Sequence, residues 1–97
     1  MRIIDILNEY RSGELEFKIK YGLLDDETRE KVNVLEQIFV DIDLVDYVVD
    51  STKIVRMYYK EKRTIEYIAE AMYMSPRTVS RRRDECLKWL SDHFDRE

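Results

Sequence analysis

Residues 64–90 read TIEYIAEAMYMSPRTVSRRRDECLKWL, and this stretch decides the fold. Thr64 is the type of residue that caps a helix start. Ile65, Ile68, Ala69 and Met72 then recur at helical spacing, while Glu66, Tyr67 and Glu70 point away from them. The helix ends by Met72, and Tyr73, Met74 and Ser75 make a three-residue turn. Ser75 caps a second helix, and Pro76 takes its first position, where a missing N–H costs nothing. Two helices, a short turn and a small residue (Ala69) at the crossing predict a helix-turn-helix.

On a wheel of the second helix, residues 76–91, Val79, Cys86 and Leu90 fall within about 40° of one another and mark the buried side. Arg77, Arg81, Asp84 and Lys88 lie opposite, with Ser80 at their flank. A solvated helix face would show the same pattern. The cap at Ser75, however, puts Arg77, Ser80 and Arg81 in the first two turns, the part of a recognition helix that enters the major groove. An Arg fork there takes the O6 and N7 acceptors of guanine. Ser75 and Thr78 suit phosphate oxygens. Arg82 and Arg83 flank the apolar side, so their stems cover the core edge while the heads reach solvent, an acid or phosphate. Of the two, Arg82 is the phosphate candidate.

Outward from this unit the chain remains helical. Ile3, Ile4, Leu7 and Tyr10 make one stripe, which Ser12-Gly13 ends. The segment Glu14–Tyr21 alternates apolar and charged residues, a strand signal with no second strand to pair with. It fits either a short helix or an extended arm that pairs with another subunit. Asp25-Asp26-Glu27-Thr28 opens an amphipathic helix over 27–42, with Val32, Leu35, Ile38, Phe39 and Ile42 inward. Residues 44–49 read as a short helix. Ser51 or Thr52 caps another that carries Ile54, Val55 and Tyr58 inward. The predicted fold is all-α: a small helical bundle in which 1–43 form an amino-terminal helical or oligomerisation region and 44–97 the helix-turn-helix region. An extended piece near 14–21 remains one of the two readings of that segment.

Residues 44–92 resemble the carboxy-terminal promoter-reading domain of bacterial sigma factors, and more closely the small sigma-like phage regulators of the ArpU and RinA type. The resemblance rests on the apolar helix ending in "IVRMYYKEK", on "TIEYIA", on the hydroxyl before Arg77-Thr78-Val79, and on the basic-then-apolar tail. Tyr73 stands where that turn often has Gly or Asn, and Arg82 where an aliphatic residue is common. The family's contact positions map onto Pro76, Arg77, Ser80 and Arg81, with backbone support near Arg63, Thr64 and Ser75. Nothing in the chain resembles the sigma segment that melts promoters.

Composition narrows the function further. With 44% hydrophobic and 39% charged residues, two Gly and one Pro, the 97-residue chain is too apolar for a disordered tail and too poor in turn residues for a β-sandwich. The net charge is −4, yet residues 25–50 hold nine acids against two bases, while 75–90 hold five bases against two acids. That layout bears on partners and orientation. One cysteine, Cys86, and one histidine, His93, allow neither an internal disulfide nor a His/Cys metal cluster. Met72, Met74 and tyrosines 58, 59, 67 and 73 read as core and core-edge packing. Trp89 and Phe94 read as packing the last helix on the amino-terminal half or on another subunit.

No catalytic acid pair, Ser-His-Asp set or phosphate loop is present. No apolar run reaches the length of a membrane span, and Asp5 and Glu9 interrupt any signal-peptide core. The expectation is a cytoplasmic, non-enzymatic, cofactor-free regulator of transcription, of phage or prophage type. It would bind double-stranded DNA, contact RNA polymerase and act as a homodimer. The alternatives are a phage DNA-packaging subunit of the small-terminase kind and a helix-turn-helix protein adaptor that binds no DNA.

Overall fold

A left-handed glycine sets the first corner. Helix α1 (Ile3–Ser12) ends at Gly13, whose φ of 90° lets its N–H reach back to the carbonyls of Glu9 and Tyr10. The computed structural model of the chain describes residues 1–42 and 50–95. The expected helix over 44–49 and the division at residues 43 and 44 lie outside them.

From Gly13 the chain turns directly into α2 (Glu14–Lys20), so the extended reading of this segment is corrected. No strand occurs among the described residues. Without a partner ladder a lone extended piece leaves its backbone groups unpaired, whereas a helix satisfies them within itself. The alternation survives as geometry: Leu15 is buried on α1, while Phe17, Ile19 and Tyr21 stay more than half exposed. Asp25 then caps α3 (Asp26–Asp41), accepting from the Thr28 N–H at 2.7 Å. That bond, together with the nearby Thr28 hydroxyl, holds the Asp25 carboxyl below its ordinary pKa. Val32, Leu35, Phe39 and Ile42 are the buried apolar positions of this helix and its cap, with Ile38 half-buried.

Ser51 and Thr52 are not caps. Both lie inside α4 (Asp50–Val55), which runs on as a π-helical turn over Arg56–Lys60. Ile54 and Val55 are buried as expected; Tyr59 is buried with Val55, and Tyr58 packs partly buried against both apolar clusters. Helices α5 (Ile65–Ala71) and α6 (Pro76–Phe94) complete the chain.

Two apolar clusters result. The larger joins Ile3, Ile6, Leu7 and Tyr10 of α1 and Leu15 of α2 to Val32, Leu35 and Phe39 of α3, to Val55 and Tyr59, and to Cys86 and Leu90 of α6. The smaller holds Ile54, Ile68, Ala69 and Val79, with Met57, Ile65, Met72 and Met74 at its edge. Each fully buried Leu, Ile or Phe contributes about 1.5–3 kcal/mol. Helix α6 reaches both clusters, so the α5–α6 pair is built onto the amino-terminal helices.

Polar clamps fix the same arrangement. Asp95, just past α6, accepts the Ile3 N–H at 3.0 Å and pairs with Lys31 at 3.4 Å, capping α1 from the far end of the chain. Glu36 accepts the Tyr10 hydroxyl at 2.5 Å and the Lys60 ammonium at 2.5 Å. Burial and the Glu36 carboxylate push the Tyr10 phenol up, so it stays a donor. For Glu36, burial pulls its carboxyl pKa upward, but the bonds from Lys60 and Tyr10 and the Lys60 charge outweigh it and hold it below the ordinary value. Such a carboxylate binds its proton more weakly folded than unfolded. It therefore stabilises above the ordinary carboxyl range, and that contribution is lost as pH falls through its depressed folded value. The pair is over a third exposed, which limits it to about 1 kcal/mol or less. Thermal melts of wild type and Glu36→Gln should differ at neutral pH and converge as pH falls below the depressed folded value. A gap that persists at low pH would remove the charge from the account.

Candidate nucleic-acid interface

The α5–turn–α6 unit is built by local chemistry. Thr64 accepts the Tyr67 N–H at 3.1 Å and starts α5. Ser75 accepts the Thr78 N–H at 3.2 Å and starts α6, with Pro76 behind it. Between them the Met74 N–H reaches the Ala69 carbonyl at 2.9 Å and the Tyr73 N–H the Glu70 carbonyl at 3.4 Å. This is a Schellman closure, in which the residue after the helix must be left-handed and the next one packs back on the helix. Met74 does pack with Ala69 in the smaller cluster. Tyr73 takes the left-handed place at φ 57°.

A tyrosine is an unusual choice there. Left-handed backbone costs an L-residue roughly 1–2 kcal/mol that glycine does not incur. The ring is 97% exposed, so no packing offsets the strain. Tyr73→Gly is therefore expected to raise stability by about 1 kcal/mol, read as a melting-temperature rise of roughly 4–8 °C. An unchanged or lower melting temperature would show that the ring is held by contacts at the turn. Tyr73 and the 46% exposed Tyr67 are corrections to the core reading. Their flanking apolar neighbours take the inward positions instead, whereas Met72, Met74, Tyr58 and Tyr59 are core or core edge as expected.

On α6, Val79, Cys86 and Leu90 are buried, and burial raises the Cys86 thiol pKa. Arg77 and Arg81, one turn apart, are exposed, as are Asp84 and Lys88 further along. Arg81 lies 4.0 Å from Glu85, with both side chains about two-thirds exposed, so the guanidinium is only loosely held. The Ser75 hydroxyl donates to Thr78 Oγ1 at 2.9 Å while capping the helix, so both its functions are used at the cap. Thr78 and Ser80 are half-buried beside the arginines. Arg63 is exposed, with its guanidinium 4.5 Å over the Tyr67 ring. Arg82 is half-buried at the edge. Arg83 is tied down, its guanidinium 4.8 Å over the Tyr58 ring and its Nε 3.3 Å from Asp84.

The unit thus brings Arg77, Ser80 and Arg81 to one end of α6, with Thr64 and Arg63 at the start of α5. Sequence reasoning missed Arg11. Its guanidinium donates to the Tyr58 carbonyl and, at 3.1 Å, to that of Arg63, and lies 3.9 Å over the Tyr58 ring. It fixes the loop that leads into α5 from a position fifty-two residues away, a link that no local pattern reveals. Trp89 is 54% exposed and stacks on His93 at 5.5 Å rather than packing inward, whereas Phe94 does pack on the larger cluster.

Among the described residues, no group of His, Cys, Asp and Glu is arranged to hold a metal, and no helix is long and apolar enough to cross a membrane. Comparison of the chain with protein-family models, curated proteins and solved structures gave no match.

Proposed function

We propose that this chain is a sequence-specific, double-stranded-DNA-binding regulator of transcription, of phage or prophage type and acting in the cytoplasm. Helix α6 enters the major groove, where Arg77 and Arg81 read base edges. Ser80 enters the groove beside them, while Thr78 and Arg82, with the α5 start at Arg63 and Thr64, meet the phosphates. RNA polymerase is the expected protein partner, and a homodimer the expected binding form. One observation carries the reading: two exposed arginines on the capped first two turns of a helix whose opposite face is locked into both apolar clusters. Such an arrangement presents guanidinium forks on a rigid support.

Selection from a random duplex library at near-physiological salt tests it. One enriched motif, with the logarithm of affinity falling linearly against the logarithm of salt, is the expected result. No enrichment together with no salt-dependent binding would overturn the proposal. Salt-dependent binding without a motif would reduce it to non-specific DNA association.

A further inference from the structure

Helix α2 carries an exposed face that the DNA reading does not use. At about 100° per residue, Glu14 and Lys20 stand about 60° to opposite sides of Phe17, and Tyr21 about 40° from it on the Glu14 side. Phe17 and Tyr21 are 57% and 59% exposed, and their rings lie 4.7 Å apart. Leu23, just beyond, is 61% exposed. Leu15, on another side, anchors the helix in the core. Ile19 turns away from this face to line a groove with Leu24 and Val32.

The charges at its rim decide what fits. Lys18 is paired with the nearly buried Glu9, and Glu16 lies 3.5 Å from Lys62. Glu14 and Lys20 remain exposed, one three residues before Phe17 and one three residues after it. Their carboxylate and ammonium mark opposite ends of the face, about 9 Å apart along the helix axis. A surface with an apolar centre and one charge of each sign at equal distances matches a copy of itself turned by half a rotation. The outer side of α3 carries Asp26, Glu27, Glu30 and Asp41 against Arg29, an acidic excess, and the outer start of α6 presents Arg77 and Arg81, so neither shows this balanced layout.

We infer that α2 is the self-association surface of this protein, with two copies crossing at a steep angle about a two-fold axis at Phe17. The two Phe17 rings meet on the axis, flanked by Tyr21 and Leu23, and Glu14 of each copy faces Lys20 of the other. An interface built on one short helix per copy is small, so the dimer belongs to the weak, reversible class. It stands whether or not the protein binds DNA, and its test contains no nucleic acid.

Sedimentation equilibrium of the full chain up to about millimolar concentration should show a monomer–dimer equilibrium. Glu14→Lys and Lys20→Glu each set like charges against each other twice per dimer and should weaken association about ten-fold. The double variant Glu14→Lys/Lys20→Glu should regain it, because the pairs are restored with signs exchanged. Phe17→Glu should abolish it, with the circular dichroism unchanged since the ring is outside the core. A wild type that stays monomeric overturns the inference, as does a Phe17→Glu variant that associates normally. So does a double variant no better than either single one, which would mean that the charges do not face each other.

Discussion

Replacing Arg77 by alanine is expected to lower affinity for the selected operator by about 5- to 150-fold, the worth of one good bidentate pair to guanine. Binding to random DNA should fall much less, because a single phosphate-range charge contributes mainly to the salt-dependent background. Arg77→Lys separates the two roles: a lysine keeps the charge but not the fork, so it should recover random binding and not specificity. Arg81→Ala should act in the same direction with a smaller loss, since its guanidinium already has Glu85 at 4.0 Å as an alternative partner. Gel-shift or anisotropy titrations against operator and scrambled duplex, each at two salt concentrations, measure all of this. Equal losses on both duplexes, with the salt slope reduced by about one unit, would make these residues phosphate contacts and move base reading elsewhere on α6.

Arg77 and Arg81 were legible in the sequence because the features that expose them are local. Thr64 and Ser75 form their cap bonds to residues three positions on, Pro76 fits only the first turn, and a helical wheel separates Val79 from Arg77 without tertiary information. What was not legible depends on register changes or distant partners. The alternation of residues 14–21 suggested a strand because period two says nothing about whether a second strand exists; Gly13 and the buried Leu15 settle it as a helix. The π-turn over Arg56–Lys60 could not be read because it has no propensity signature of its own. Tyr73 looked like packing because large aromatics usually are, yet the Schellman closure turns it out into solvent. Arg11 and Asp95 act across nearly the whole chain, and only the fold brings them to the loop before α5 and to the start of α1.

Phe39→Ala is expected to destabilise the whole protein by about 3–5 kcal/mol, against a total of about 5–15 kcal/mol for a domain of this size. Phe39 is 1% exposed and meets Tyr10 edge-on, with ring centroids 6.4 Å apart. It sits in the amino-terminal half, far in sequence from the arginines. Its cluster, however, also contains Val55, Tyr59, Cys86 and Leu90, so the support of α6 and that of α3 are the same set of contacts. If the chain unfolds as one unit, the variant should lose melting temperature by more than about 10 °C and lose operator binding along the same thermal profile. Amide exchange then distinguishes one unit from two. In a single cooperative unit, protection falls by the same free energy in α1, α3 and the second half of α6. Protection kept in α5 and α6 while α1 and α3 open would mean that the smaller cluster around Ile54, Ile68 and Val79 holds the α5–α6 pair by itself. In that case the amino-terminal helices would not be needed for the folding of the α5–α6 unit.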